Sequence, residues 1–205
     1  VVGATTPLLP AISSPRNVKV LDDVAGLVQD EVDQLTAGGV NKIILISHLQ
    51  DVDEDLELIP MLSGVDVAIA GGGDELLAND GDLLVPGDER AVDPVTGEFL
   101  TYPLTVTNAD GADVPIVTTA GDYKYVGKLV VTFDRAGNLI STDDSSGPVR
   151  VSGVGEDAVE PDPWIQSNVV EPVSAAVEDL AENVIAQSEV GLDGRRSSVR
   201  TMETN

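Results

Sequence analysis

The chain contains a single histidine, and the residues near it are of types that bind cations. His48 follows an apolar run at residues 43–46, and a second apolar run at 65–70 ends in Gly71-Gly72-Gly73-Asp74-Glu75. Continuous runs of Ile, Leu and Val are typical of parallel strands buried on both faces. Ligands of open α/β sheets bind beyond the carboxyl ends of the strands. We therefore expect His48 and the glycine-rich acidic loop to lie on the same edge of one sheet.

Each of these residues also has a purely structural interpretation. A neutral imidazole at a strand end is a good ligand for Zn²⁺, Mn²⁺ or Fe, but a lone histidine is often just a partly buried, hydrogen-bonded side chain. The three glycines allow close approach of the backbone to a ligand, or a tight strand-to-helix turn. Asp74 and Glu75 could bind a divalent cation, or could cap the segment over residues 75–78. Ser47 is not expected to pair with His48 as nucleophile and base, because consecutive strand residues point to opposite faces.

A second acidic cluster resembles the start of a calcium-binding loop but departs from that pattern. Asp51, Asp53 and Asp55 have the alternating spacing of an EF-hand. Leu56 stands where that loop needs Gly, and Leu62 stands where it needs Glu. The cluster is therefore interpreted as the start of a helix.

The composition is strongly acidic, with 36 Asp and Glu against 11 Lys and Arg and a net charge of -25 among 205 residues. Such a surface argues against nucleic acid polymers and anionic membranes as partners. It suits solvation in salty surroundings or recruitment of cations, and a calcium-stabilised acidic protein is one alternative. No cysteine is present, which excludes disulfides and thiolate metal sites. No run approaches the roughly 18 apolar residues of a membrane span.

The periodicity predicts an α/β chain in which the type of structure changes along the sequence. A helix over 24–37, capped by Asp22 or Asp23, and a helix over 53–62 alternate with strands at 1–6, 42–47 and 65–70, which gives two β-α-β units. A long surface loop over 78–101 follows. The remaining predictions are short strands at 104–107, 114–119, 125–134 and 138–141, a linker over 143–163, a helix over 169–187 and a short strand at 189–192.

The order of several segments resembles the metallophosphoesterase/5′-nucleotidase family. The resemblance covers nearly the whole chain and is carried mainly by residues 40–49, 65–72 and 114–138. It implies a calcineurin-like α/β/β/α sandwich of which this chain is a partial, middle fragment. It further implies that residues 1–142 are the second half of the metal domain, that 143–168 are a linker, and that 169–205 are a helix leading into the C-terminal domain. Glu203-Thr204-Asn205 resembles the start of the segment that opens that domain.

The resemblance also assigns roles to particular residues. His48 matches a histidine ligand of the family, and the loop at Gly71 matches a Gly-Gly-His-x-His or Gly-Gly-His-x-Gln turn. Gly73 replaces the first ligand of that turn and Glu75 fills the second position, with Asp74 as an additional ligand. The resemblance implies that Gly71, Gly72 and Gly73 form a substrate loop. The family implies two divalent cations, and the residues do not distinguish Mn²⁺, Zn²⁺, Mg²⁺ and Ca²⁺, although oxygen donors favour the harder ions.

The function implied by the resemblance is hydrolysis of phosphate monoesters or nucleotides, by two-metal in-line attack of water. The family's Asp-x-His, Gly-Asp and Gly-Asn-His motifs are missing, so the chain alone is expected to be inactive and to need the missing parts of the same protein or a complementing chain. The family implies an extracellular or periplasmic location. The alternative is a catalytically decayed binding, surface or assembly module with the same fold, which Gly73 in place of histidine would explain.

Overall fold

The computed structural model describes residues 1–191, and two compact units divide at Ala158 and Val159. The first unit contains helices and strands, and the second begins at Val159 and is helical. The strands are β1 (Val2–Gly3), β2 (Ile44–Ile46), β3 (Val67–Ile69), β4 (Leu104–Thr107), β5 (Asp113–Val117), β6 (Tyr125–Lys128), β7 (Val131–Phe133), β8 (Leu139–Thr142) and β9 (Gly147–Arg150). The helices of the first unit are α1 (Leu9–Ile12), α2 (Val24–Ala37) and α3 (Val52–Leu58), the last continued by a 3₁₀ turn at Ile59–Met61.

A five-stranded sheet organises the first unit, with strand order β1-β2-β3-β5-β4. The first four strands of that order are parallel, and β4 joins the edge antiparallel to β5. Leu45, Ala68 and Ile116 stand beside one another across the central strands and are fully buried. The α/β class, with parallel strands built from continuous apolar runs, is therefore confirmed.

Helices α2 and α3 cover one face of this sheet. Asp23 caps α2, and its carboxylate accepts a hydrogen bond from the Gly26 N–H at 3.0 Å. Val28 and Val32 on the buried side of α2 join Leu45 and Ile59 in the main apolar core. The predicted bounds of α2 are confirmed because a capping residue, an apolar stripe and Gly38 all agree on them.

The other face of the sheet is less well covered. Ile46 and Ile69 remain 44% and 40% exposed there. An open cavity of about 510 Å³ separates this face from the strand pair β7–β8 and reaches the glycines of the loop after β3. Its apolar lining includes Ile44, Val67, Leu129 and Phe133. The unit thus has a helical layer, a parallel sheet and a second layer of strands, which is part of the sandwich that the family resemblance implies.

Two predictions about strands after residue 124 are wrong. The predicted strand over 125–134 is two strands, since β6 pairs with β9 and β7 pairs with β8. Strand β9 lies in the stretch predicted as a linker, because Gly147–Arg150 finds its partner in Tyr125–Lys128 rather than in a sequence neighbour. Non-local pairing of this kind leaves little trace in local periodicity.

The long loop over 78–101 is ordered by contacts within it and with neighbouring segments. Asn79 donates to the carbonyls of Tyr102 and Ser146 at 2.9 and 3.2 Å. The Arg90 guanidinium pairs with Asp80 at 2.6 Å and lies 4.8 Å from the centre of the Phe99 ring. The predicted absence of regular helix or extended strand is confirmed, apart from an isolated bridge between Val92 and Phe99.

The second unit is a helix that starts earlier and ends earlier than predicted. Asp162 caps it, Pro163 occupies the first turn, and helical structure runs through Pro163–Ile165, Gln166–Val170 and Glu171–Glu182. Residues 189–191 do not form a strand, and the predictions for 192–205, including Glu203-Thr204-Asn205, fall outside the described residues. Among residues 1–191, no helix is both long and apolar enough to span a bilayer.

Candidate functional site

His48 lies just beyond the carboxyl end of β2, in a segment that is held on both sides. Its N–H donates to the Ala4 carbonyl at 2.9 Å, and its carbonyl accepts from the Thr6 N–H at 2.9 Å. The N–H of the next residue, Leu49, donates to the Gly71 carbonyl at 3.1 Å. Sheet-type bonding therefore continues beyond the strand and fixes the backbone that carries the exposed imidazole.

Ser47 and His48 lie on opposite sides of this segment, as the alternation of a strand requires. Ser47 is buried, and its hydroxyl donates a long hydrogen bond of 3.4 Å to the Ile69 carbonyl, whereas His48 is exposed. The two residues therefore do not form a nucleophile–base pair.

The glycine loop passes directly against His48. A Cβ on Gly71 would lie 2.7 Å from the Ser47 carbonyl oxygen and 3.8 Å from His48 Nδ1. Gly72 has φ +99°, and a Cβ there would lie 2.8 Å from the Gln50 nitrogen and 3.1 Å from His48 Cδ2. Side chains larger than hydrogen do not fit between these two segments. The glycines thus permit the imidazole and the loop after β3 to meet at one edge of the sheet.

Glu75 folds back over the third glycine. A Cβ on Gly73 would lie 2.7 Å from the Glu75 carboxyl carbon and 2.7 Å from Oε1. Glu75 Oε2 is buried and has no hydrogen-bond partner among the described residues. An unpartnered carboxylate oxygen costs free energy, and the binding of a cation or a water molecule is a common way for a protein to offset that cost.

The electrostatic surroundings of Glu75 are negative. Burial raises the pKa of Glu75, and the nearby charges of Asp51, Asp74 and Asp53 raise it further. Asp51 and Asp53 come from the segment after His48, where Asp51 caps α3. The acidic cluster predicted as a helix start is confirmed as one, and it also faces the loop after β3. A divalent cation here would relieve the repulsion among these carboxylates.

Asp74 is the exposed carboxylate of the loop. Its Oδ1 lies 2.7 Å from the position of a Cβ on Gly121. Asp74 therefore approaches the segment at Gly121, whereas the Glu75 carboxylate lies over Gly73. In that segment Asp122 and Tyr123 have φ +66° and +57°, values that side-chain-bearing residues adopt at a cost. Sequence reasoning missed this strained turn, because the periodicity of strands carries no signal for it.

Two sequence-based alternatives for this loop are corrected. Residues 75–78 do not form a helix, so Asp74 and Glu75 do not cap one and the glycines are not a strand-to-helix turn. The chain instead continues in irregular form into the buried residues Leu76, Leu77 and Ala78. Among residues 1–191, no group of three or more His, Asp and Glu side chains is arranged to hold a metal ion.

Sequence reasoning also missed Asp55. Its spacing from Asp51 and Asp53 groups it with the helix start, but it is fully buried on the inner side of α3. A signal for this position exists, because Val52, Asp55 and Leu58 share one face at helical spacing, and a carboxylate in such a position is exceptional.

The chain is similar in sequence and in fold to proteins named 5′-nucleotidase. No family model matches the chain. Human 5′-nucleotidase is 29% identical over 205 residues, which is all of this chain and 33% of that protein. Snake venom 5′-nucleotidase of Naja atra is 28% identical over the same full chain and 35% of its own length. The crystal structure of a 5′-nucleotidase precursor from Thermus thermophilus has a TM-score of 0.71 and 32% identity, covering 95% of this chain and 35% of the other.

These matches agree in extent as well as in kind. The chain is aligned almost completely each time, whereas about two thirds of each relative has no counterpart in it. By sequence along its whole length and by fold, the chain is therefore related to the 5′-nucleotidase family and spans about a third of the length of the relatives that it matches.

Proposed function

We propose that this chain is part of a metal-dependent phosphoric monoester hydrolase of the 5′-nucleotidase type, and that it supplies part of the active site. The observation that carries the proposal is the meeting of His48 with the glycine loop, beside a Glu75 carboxylate with a buried, unpartnered oxygen. An imidazole nitrogen and a carboxylate at the carboxyl edge of a parallel sheet form a partial ligand set for a divalent cation. The names of the relatives support a nucleotide as the substrate.

His48, Glu75 and Asp74 are proposed to hold metal together with ligands from the rest of the protein, because among the described residues these three side chains do not form a metal-binding group by themselves. The His48 backbone is fixed by hydrogen bonds to Ala4 and Thr6, so the ring is presented from a rigid base. The Glu75 carboxylate folds back into the space beside Gly73. Nitrogen and oxygen donors together suit Mn²⁺, Zn²⁺ or Mg²⁺, and a larger share of oxygens shifts the preference toward harder ions such as Mg²⁺ and Ca²⁺.

The chemistry of the proposed reaction is two-metal phosphoryl transfer. Two bound divalent cations would activate a water molecule and neutralise the phosphoryl oxygens during in-line attack. The residues of this chain orient the reactants. The backbone at Gly71, Gly72 and Gly73 carries no side chain that would keep a phosphate away, and the acidic residues Asp51 and Asp53 favour cations over free anions at this edge.

The remaining ligands are proposed to come from elsewhere in a longer protein or from a complementing chain. Ile46 and Ile69 leave the second face of the sheet half exposed, and the cavity of about 510 Å³ adjoins that face. Apolar sheet faces are normally covered by another layer. We propose that the missing part of the sandwich fills the gap between this face and β7–β8 and completes the site.

We also propose that the protein acts outside the cytoplasm, as the name of the venom relative suggests.

The test is phosphate release from a nucleoside 5′-monophosphate and from p-nitrophenyl phosphate by the full-length protein, with and without EDTA. Activity should be lost in EDTA and return with added Mn²⁺ or Zn²⁺. His48→Gln and Glu75→Gln should each lower kcat by at least about 100-fold. Changing a residue that only supports a metal ligand costs up to about 100-fold, so replacing a ligand itself should cost at least as much. Glu31→Gln, on the exposed side of α2, is the matched control and should retain full activity.

Two outcomes would contradict the proposal. Wild-type protein that neither binds metal nor releases phosphate would favour the decayed binding or assembly module. Full activity in both His48→Gln and Glu75→Gln would place the active site elsewhere.

A further inference from the structure

Asp55 is the one residue of the inner face of α3 that does not suit an apolar core. Val52, Asp55 and Leu58 are the buried residues of this helix, and Asp55 has no exposed surface. Neither of its carboxylate oxygens has a hydrogen-bond partner among the described residues. A buried polar group without a partner is destabilising, so an apolar residue would serve packing better. Residues that break local rules in this way are concentrated at functional sites.

The polar group that faces Asp55 is the hydroxyl of Ser47. Burial raises the pKa of Asp55 to about 6, while the Ser47 hydroxyl favours the charged form and opposes that shift. In the structure the Ser47 hydroxyl is directed to the Ile69 carbonyl through a bond of 3.4 Å, which is long for a hydrogen bond. A hydroxyl held this weakly by one acceptor can turn its proton toward another nearby acceptor, here the Asp55 carboxyl. Asp55 is therefore buried near Ser47, the residue immediately before His48, and Ser47 is buried whereas the imidazole is exposed.

The segment between Ser47 and α3 is strained and closely packed. Gln50 has φ +104°, a conformation that costs free energy for a residue with a side chain. Its backbone nitrogen and Cα would both lie within 3 Å of a Cβ on Gly72. Residues 48–51 are held in this shape from both ends, by the sheet at Ser47 and by α3 from Val52 onward. Because Asp51, three residues after His48, is the N-cap of α3, a shift of α3 would change the packing of the residues that follow the imidazole.

We propose that Asp55 is a positioning residue, whose carboxyl engages the Ser47 hydroxyl and so fixes α3 against the end of β2 from which His48 reaches the site. The expected effect on metal binding rests on the proposed function. The contact between Asp55 and Ser47 does not. Asp55 does not touch substrate or cation in this scheme, and it acts through Ser47. Residues behind a metal ligand commonly change metal affinity or activity by about 10- to 100-fold.

The decisive variants of the full-length protein are Asp55→Leu, Asp55→Asn and Ser47→Ala. Asp55→Leu removes a buried unpartnered carboxyl, and we expect it to raise the Tm at pH 8 while weakening Mn²⁺ binding, measured by calorimetry, by about 10-fold or more. Ser47→Ala should weaken Mn²⁺ binding similarly. Combining Asp55→Leu with Ser47→Ala should weaken Mn²⁺ binding no further than either substitution alone. Asp55→Asn keeps an acceptor for the hydroxyl and should retain affinity within about threefold. A purely structural role would move stability and affinity in the same direction.

Asp66→Leu is the matched control. The Asp66 carboxylate accepts from the Ile43 N–H at 2.7 Å, next to the amino end of β2 and away from His48. This variant should lower the Tm without changing Mn²⁺ affinity.

A second readout does not depend on metal or activity. The NMR signal of the His48 imidazole, assigned by its loss in His48→Gln, should shift in Asp55→Leu and in Ser47→Ala but not in Asp55→Asn. If wild-type protein binds no metal, the proposed function fails while this signal still tests the contact. The inference is overturned if the His48 signal and, where metal binds, the Mn²⁺ affinity are unchanged in both Asp55→Leu and Ser47→Ala. If Asp55→Leu does not fold, Ser47→Ala decides the question.

Discussion

The carboxylate of Glu75 occupies the space in which a side chain on residue 73 would lie, with its carboxyl carbon 2.7 Å from the position of a Cβ on Gly73. The two positions are therefore coupled, because a side chain at 73 and the present conformation of Glu75 exclude each other. Where residue 73 offers no side chain of its own, the neighbouring Glu75 supplies a carboxylate to the same space.

Gly73→Ala should displace the Glu75 carboxylate at little cost in stability. The group that the new methyl meets is the end of a flexible side chain, so we expect the free energy of unfolding to fall by less than about 1 kcal/mol. Mn²⁺ affinity, measured by calorimetry, should fall by about 10-fold, because the carboxylate leaves its present position. Glu75→Ala should weaken binding as much, and adding Gly73→Ala to it should have no further effect. Independent, additive losses in the double variant would contradict the coupling.

Gly72→Ala should have the opposite profile. A Cβ there meets the Gln50 backbone at 2.8 and 2.9 Å, and φ is +99°, so neither a side-chain movement nor a favourable backbone conformation relieves the strain. We expect the free energy of unfolding to fall by about 2 kcal/mol or more, measured by urea denaturation. Gly97→Ala is the control for the backbone term, since Gly97 has φ +74° but open space around its Cβ position. Equal losses in the two variants would show that contact with Gln50 is unimportant.

The parts of this structure that the sequence predicted are those set by local pattern. Helix α2 was predicted with its bounds because Asp23, an apolar stripe and Gly38 give consistent signals within one segment. The parallel strands β2 and β3 were predicted because continuous apolar runs of this length are typical of strands buried on both faces. The two polar tips followed from these strands, since the ends of parallel strands meet at one edge of the sheet.

The parts that were missed depend on which distant segment a residue contacts. Nothing in Gly147–Arg150 indicates that it pairs with Tyr125–Lys128, so the sequence predicts a linker where the structure has a strand. The pattern of Asp51, Asp53 and Asp55 predicts a helix start but not the burial of Asp55, which follows from its spacing from Val52 and Leu58. The packing of Glu75 over Gly73 depends on side-chain direction, which periodicity does not specify.

Tyr125→Phe should loosen the loop that precedes β4. The Tyr125 hydroxyl accepts from the Val85 N–H at 2.8 Å and donates to Asp88 at 2.9 Å, and Lys124 pairs with the same carboxylate at 2.8 Å. Removing the hydroxyl leaves the Val85 N–H without its partner, so the free energy of unfolding should fall by about 1–3 kcal/mol. Faster amide exchange at Val85 should accompany the loss.

Tyr123→Phe is the matched control for that change, because Tyr123 is 97% exposed. It should leave both the stability and the Val85 exchange rate unaltered. A wild-type exchange rate at Val85 in Tyr125→Phe would show that the hydroxyl does not hold this loop.

Asp55→Asn should change how stability depends on pH. The folded-state pKa of Asp55 is about 6, against 3.8 for an ordinary Asp, because burial disfavours the charged form. With the folded pKa the higher one, the folded state retains the proton between about pH 4 and 6 while the unfolded state releases it. The Asp55 contribution to the free energy of unfolding therefore falls as pH rises through this window and is constant above it. A shift of about two pH units corresponds to about 3 kcal/mol.

The measurement is urea denaturation of the wild type and of Asp55→Asn at pH 4, 5, 6 and 8. Since Asn carries no titrating proton, the difference in stability, variant minus wild type, should rise by up to about 3 kcal/mol from pH 4 to pH 8, with most of the change below about pH 6.5. The other 35 acidic residues titrate alike in both proteins, so their effects on stability cancel in this difference. Glu54 is the exception, because its charge raises the Asp55 pKa. Glu54→Gln should therefore move the transition slightly toward lower pH. A difference that does not vary with pH would mean that Asp55 titrates alike in the folded and unfolded states, and that the core around Ser47 is open to water.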